Sequence, residues 1–437
     1  MHKFTAFAAL AVLLSVAMLT TAQDQPPQKK IDPKTLPKSD AKGNPIRYAN
    51  KTGHISNYDE SKVKPYKLPE LLKMANGELV QDAKMWFEKR RPEILKLFQT
   101  EIFGRIPANA PSVKWQVAST DDNAAGGTAI MKKVVGTMSE KAGAPKINLT
   151  LYIPAKAKGP VPAIIIIGGG GGGKGGAPGK AGALTGTPGQ IIAKGFAYAG
   201  FSHTEVQPDQ NNTYNKGVIG LCLKPGQTKP DPDEWGSISA WAWATSRVID
   251  YLETDKLIDA KCIGIQGTSR LGRTALWEAA QDERVTTAFP AVCGEAAAAI
   301  ARRDWGETVD DMAQNYPWQL GGNYQKWVGR WDDMPVDAHM LIALVAPRGL
   351  FVNGGTTDQW MDPVGMFQGL VHAGPAYKLV GAKDLGTKDL PPIDKIVMDG
   401  NLAWSYHTGG HMATGPEWTA FLEFSDRHFK ELKAKKK

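Results

Sequence analysis

Apolar residues recur along this chain in two rhythms: a spacing of three to four, which belongs to helices, and short runs or alternations, which belong to strands. Residues 82–104, DAKMWFEKRRPEILKLFQTEIFG, carry Trp86, Phe87, Ile94, Leu95 and Phe98 at helical spacing and stop at Gly104. INLTLYIP (147–154) alternates as a strand does, and VPAIIIIGG (161–169) is the continuous β-branched run that a central parallel strand needs. GFAYAGFS (195–202) predicts a further strand. ISAWAWATSRVIDYL (238–252) reads as a helix buried on most sides that feeds the short strand CIGIQG (262–267), and RTALWEAAQ (273–281) as the next helix. Later strands are predicted at TTAFPAVCG (286–294) and RGLFVNGG (348–355), a last one at IVMD (396–399), and a closing helix at EWTAFLEFSDRHFKELK (417–433). Strands alternating with helices predict an α/β fold, a doubly wound, mostly parallel sheet with helices on both faces.

The chain ahead of these elements has another texture. Residues 1–22 set His2 and Lys3 before an apolar run from Phe7 to Leu19, then small residues up to Ala22. This predicts a signal peptide and an exported protein, secreted or periplasmic. Residues 23–80 are rich in Pro, Lys and Asp and predict an arm that packs on, or trails from, a catalytic domain over 81–437. No later segment offers about 18 consecutive apolar residues, so no membrane span is expected.

With 437 residues, 42% of them hydrophobic, the chain can bury a large core. Its formal charge of +8 raises the question of a nucleic-acid partner. The distribution answers it: Lys430, Lys433, Lys435, Lys436 and Lys437 against Glu431 crowd the C-terminus, and more lysines lie between Lys29 and Lys73. Solvated segments account for the charge, and no nucleic-acid partner is expected. Cys222, Cys262 and Cys293 are an odd set, better read as small buried residues than as a disulfide framework. A monomer is expected.

Candidate chemistry centres on GIQGTSRLGRTALW (264–277), where Ser269 and Arg270 stand between a strand and a helix. In an open α/β sheet ligands gather at the carboxyl ends of the strands, where such a turn holds a side chain rigid yet exposed. Gly267 permits a tight bend and Gly272 a close approach of the helix, a pattern related to the nucleophile elbow of hydrolases with its second glycine one place late. Taken alone, Ser269 reads equally well as an N-cap of the next helix. The rest of the chain shifts that balance. Asp358 follows a late strand in FVNGGTTDQWMDP and His411 follows another in SYHTGGHMATGPEW, so nucleophile, acid and base come in the order used by serine hydrolases of this fold.

GTSRLGRTALWEAAQDERV, DEWGSISAWAWATSRVIDYLETD, HMLIALVAPRGLFVNGGTTDQWMDPVG and GGHMATGPEW together resemble the bacterial branch of the glucuronoyl esterases, carbohydrate esterase family 15, within the α/β-hydrolases. The resemblance runs from about Trp86 to Phe429, and its most specific element is G-x-S-R-x-G, in which the late glycine is the family's own. It implies an esterase that needs no cofactor or metal and cleaves the ester between the glucuronate branch of xylan and lignin alcohols. It implies Ser269 as nucleophile, His411 as base, Arg270 at the oxyanion and Asp358 as the acid, with Glu307 and Trp360 against the sugar. Arg273 stands where the family usually has lysine, and a planar guanidinium is no drop-in for a point charge in sugar binding. Glu295, where relatives have glycine, is a reserve acid whose alternative reading is a helix-start carboxylate. An acetyl-xylan or other carbohydrate esterase, or a weakened relative that only binds carbohydrate, are the competing readings.

Three further motifs carry less weight. GGGGGGKGG (168–176) approaches a phosphate loop but has Gly175 where Ser or Thr should meet magnesium, and reads better as a glycine loop beside the nucleophile strand. His407 lies four residues before His411 in a loop-like sequence and is read as structural; His203 with Glu205 completes no zinc set.

Overall fold

The computed structural model describes residues 32–169 and 184–434. The expected signal peptide, residues 170–176 of the glycine run and Lys435–Lys437 lie outside the described residues. The chain divides into two compact units, Met1–Leu36 and Pro37–Lys437. The described part of the first is a 3-10 turn at Pro33–Thr35, begun by Asp32, whose side chain accepts from the Lys34 N–H at 3.0 Å.

The second unit is built on a sheet with ten strands among the described residues. They are β1 (Lys114–Asn123), β2 (Ala129–Thr137), β3 (Lys146–Pro154), β4 (Val161–Ile167) and β5 (Ala197–Phe201). The second half supplies β6 (Ile258–Thr268), β7 (Val285–Ala291), β8 (Gly349–Gly355), β9 (Ile396–Val397) and β10 (Leu402–His407). Their spatial order is β1-β2-β3-β5-β4-β6-β7-β8-β10-β9. From β5 to β10 every pairing is parallel, while β1, β2, β3 and β9 are added antiparallel at the margins. The chain winds from β4 outward to β5, then from β6 outward the other way, so the order reverses between β4 and β6. That reversal opens a crevice at the carboxyl end of β6, where Ser269 sits.

Two predicted elements need correction. IVMD is not the last parallel strand but the two-residue edge β9; that place belongs to β10, LAWSYH, which is buried although Ser405 and His407 interrupt its apolar run. β1 escapes the hydrophobic pattern because it is exposed almost throughout and therefore polar; β2 escapes it although it is partly buried. The helix expected over 82–104 is interrupted by a π turn at Trp86–Arg90, in which the Arg91 N–H bonds the Trp86 carbonyl, just before Pro92, which has no N–H to give. Trp86 is thereby buried and Phe87 left 40% exposed, while the regular part, α1 (Arg91–Glu101), buries Ile94 and Phe98.

The longer helices are α2 (Ser237–Leu252), α3 (Arg270–Gln281), α4 (Pro363–Leu379) and α5 (Gly415–Ala434). α2 packs on α3, and α4 joins them through the short helix Ala338–Ala343; α5 packs with the helix Gly186–Ala193. These two groups cover the two faces of the sheet. Within the core, Trp277 of α3 stacks on Phe103 at 4.5 Å and donates its indole N–H to Ser239 of α2 at 2.9 Å. Ser239 in turn donates to the Phe103 carbonyl at 3.0 Å, so the one polar atom of this aromatic cluster is satisfied. All three cysteines are buried. No helix among the described residues is long and apolar enough to cross a membrane.

Candidate active site

β6 ends at Thr268 and α3 begins at Arg270, leaving Ser269 alone to make the turn at φ 62°, ψ −128°. A non-glycine residue there costs on the order of 1–3 kcal/mol, held by the packing around it. Two glycines make that packing fit. A Cβ on Gly267 would lie 2.0 Å from the Leu271 carbonyl oxygen, and one on Gly272 would lie 2.8 Å from that of Ala291 in β7. The late glycine of G-T-S-R-L-G is thus the residue that lets the first turn of α3 lie against the end of β7. Ser269 makes no cap to α3 with its side chain, so its hydroxyl is left for the crevice.

After β8, the Asp358 carboxylate receives the imidazole of His411, whose Nδ1 lies 2.8 Å from Oδ2. Asp358 is 8% exposed and His411 about 40%, so a buried carboxylate orients a ring that reaches solvent. Their two loops are laced together: the Thr356 N–H donates to the His407 carbonyl at 3.0 Å and the Thr357 N–H to that of Gly409 at 2.9 Å. Gly355 permits this approach, since a Cβ there would lie 2.3 Å from the Gly410 carbonyl oxygen.

Ser269, Arg270, Arg273, Glu307, Asp358, Trp360 and His411 all line one cavity of about 310 Å³. Arg273 and Glu307 form a buried ion pair, and the Arg273 Nε also donates to the Glu295 carbonyl at 2.8 Å. The Glu307 N–H donates to the Trp360 carbonyl at 2.9 Å, which brings together two residues 53 positions apart. Glu295 faces elsewhere. Its carboxyl accepts from the Tyr324 hydroxyl at 3.2 Å and lines a small separate cavity with Tyr324 and Asp337, where burial pushes it up to about 8.

Other groups carry no mark in the sequence. Asp209 holds the Arg270 guanidinium at 2.5 Å, and Tyr316 lies under it with the ring centroid 5.4 Å from Cζ. Pro45 joins the cavity wall, and Arg47 stands over the Trp360 ring at 5.9 Å. Sequence proximity signals none of these contacts. A larger hollow of about 750 Å³, lined by Lys378, Asp384 and Leu390 among others, shares no residue with this site. His407 is buried against Glu417, and the Glu205 carboxylate accepts from Asn148 at 2.9 Å. Among the described residues no three His, Cys, Asp or Glu side chains converge as a metal set.

Comparison with known proteins gives the chain a family. The sequence profile of the family described as glucuronyl esterase, fungi, matches residues 137–381. The carbohydrate esterase MZ0003, from an unknown prokaryotic organism, is 34% identical over 411 residues, 88% of this chain and 94% of its own. The chain belongs to the glucuronoyl esterase family. The solved glucuronoyl esterase of Solibacter usitatus is 38% identical and superposes with a TM-score of 0.77 over 84% of this chain and 100% of that one. The 4-O-methyl-glucuronoyl methylesterase of Hypocrea jecorina is 28% identical over 328 residues, 73% of this chain and 63% of the relative. Membership makes this protein a carboxylic ester hydrolase of the α/β-hydrolase fold acting on glucuronic acid esters.

Proposed function

We propose that this glucuronoyl esterase is an exported serine enzyme that releases (4-O-methyl-)glucuronic acid from its esters through an acyl-enzyme on Ser269. The observation that carries the reading is the convergence of Ser269, Arg270 and the His411–Asp358 pair on the cavity that also holds Arg273, Glu307 and Trp360. An unactivated alcohol attacks esters poorly, so the hydroxyl needs a base, and the base needs its tautomer fixed. With Nδ1–H donating to Asp358, His411 keeps Nε2 as the acceptor that takes the Ser269 proton while Oγ adds to the ester carbonyl.

The negative charge that develops on the carbonyl oxygen forms beside the first turn of α3, where backbone N–H groups have no helical partner, and beside the Arg270 guanidinium. Collapse breaks the bond to the alcohol, which leaves with the proton from His411. Water then repeats the sequence on the acyl-enzyme and frees the uronic acid. Arg273 and Glu307 offer a donor and an acceptor to sugar hydroxyls, and the Trp360 indole an apolar wall with one N–H. The relatives named methylesterases support the uronate half of the substrate. Esters that join glucuronate branches of xylan to lignin alcohols are the natural class this reading implies, met outside the cytoplasm after export directed by residues 1–22.

Ser269→Ala on the purified protein tests the nucleophile: kcat on benzyl glucuronate is expected to fall about 10⁴- to 10⁶-fold while sugar binding persists. Faster release of acetate from acetylated xylo-oligosaccharides than of alcohol from benzyl glucuronate would overturn the uronate assignment. Wild-type turnover no higher than that of Ser269→Ala would leave a carbohydrate-binding relative.

A further inference from the structure

Behind the His411–Asp358 pair lies a second histidine–carboxylate pair. The His407 Nδ1 is 2.9 Å from Glu417 Oε1 of α5, and its Nε2 is 3.0 Å from the carbonyl oxygen of Gly410, the residue before His411. A neutral imidazole has one N–H and one lone pair, so it can serve only one of two acceptors. Glu417 is an acceptor because its other oxygen takes hydrogen bonds from Asn353 and from the Thr414 N–H, both at 2.8 Å, which favours the ionised carboxylate. A carbonyl oxygen can only accept. Both ring nitrogens therefore carry protons.

We infer that His407 is a positioning residue: as an imidazolium bridging Glu417 and Gly410 it fixes the loop that presents His411, and its loss of a proton sets an alkaline limit on the esterase reaction. The inference rests on His411 being the catalytic base. Charged groups face the ring from several elements: Glu417 from α5, Asp358 from the loop after β8 and Asp394 from the segment before β9, all negative. Burial pulls the imidazole down, but the hydrogen bond and charge of Glu417 outweigh it and hold it above its usual value, while the same pairing holds Glu417 low.

As pH rises, the proton lost is the one on Nε2, since Nδ1–H stays with the carboxylate. A lone pair then meets the Gly410 oxygen, and the peptide that leads into His411 loses its anchor. The acid limb of the profile is untouched by this change.

The test uses the full-length protein labelled with ¹⁵N-histidine and a kcat profile on benzyl glucuronate. The ring signals that vanish in His407→Gln are expected to show two protonated nitrogens at pH 7. Their titration is expected to lie above the ordinary imidazole range and to coincide with the alkaline limb of kcat. Glu417→Gln should lower both by about one pH unit or more, with KM and the acid limb unchanged. If His407→Gln does not fold, the signals that move in Glu417→Gln make the assignment. A ring with one bare nitrogen at pH 7, or an alkaline limb that stays in place in Glu417→Gln, overturns the inference. The nitrogen signals are read without substrate, so their failure is distinct from failure of the esterase reading, which the Ser269→Ala comparison detects.

Discussion

Arg270 enters the cavity as one end of a tethered chain. Asp209 accepts from its guanidinium through Oδ2 at 2.5 Å, and through Oδ1 from the Trp318 indole at 2.8 Å and the Gln319 amide at 2.9 Å. Burial pushes the Asp209 carboxyl up, but these hydrogen bonds outweigh it and keep it below its usual value, so it stays ionised across the neutral range. On the proposed mechanism, a fixed carboxylate aims a flexible cation before the oxyanion exists, which is the sense in which such donors are preorganised. Asp209→Asn keeps the shape and removes the charge. In steady-state assays its kcat on benzyl glucuronate should fall about 10- to 100-fold, roughly 1.4–2.7 kcal/mol, with a smaller change in KM; an unchanged kcat would mean that Arg270 is aimed by something else. Ser269 and Arg270 are legible in the sequence because glycines and an apolar strand frame them. Asp209 is not, because it sits in the featureless loop VQPDQNNT and meets its partner only when residues 61 positions apart fold together.

At the scale of elements, the site depends on how tightly β6 turns into α3. A methyl group on Gly267 would meet a backbone carbonyl rather than a flexible side chain, so the turn itself must shift. Gly267→Ala is expected to lower stability by about 2–4 kcal/mol in denaturant melts and to remove more activity than its remaining folded fraction explains, because Ser269 moves with the turn. A variant with wild-type Tm would show that the bend has slack. The periodicity of the chain exposed β4, β6, β7 and β8 because those strands are apolar and buried on both faces. It missed β10, where buried Ser405 and His407 break the apolar run and the partners that satisfy them lie on other elements, and it missed β1, which has no buried face to write into its sequence. Both failures have one cause: hydrophobic pattern reports burial of apolar side chains, not pairing of backbones.

At the scale of the whole molecule, buried ionisable residues join parts of the chain that are far apart in sequence. Glu60 accepts from Arg303, whose Nε donates to Asp362 at 2.9 Å, so the segment before the sheet is fastened to the loop that carries Trp360; its Pro- and Lys-rich composition gave no sign of this. Glu295 is the other such site, enclosed against Tyr324 with its carboxyl raised to about 8, chiefly by burial and then by the nearby Asp337. The folded protein keeps that proton at neutral pH, whereas the unfolded chain gives it up above about 4.5. Between those two values the unfolded state binds fewer protons, so this group makes stability fall as pH rises, by an amount on the order of 3 kcal/mol near pH 7. Glu295→Gln keeps an acceptor for the Tyr324 hydroxyl and removes the ionisation. Its stability relative to wild type, measured by urea unfolding, should be near zero at pH 4, grow steadily through neutrality and level off above pH 8. A difference that does not change with pH would show that Glu295 is already ionised in the folded protein. In that case the reserve acid would hold a negative charge close to the Arg273–Glu307 pair.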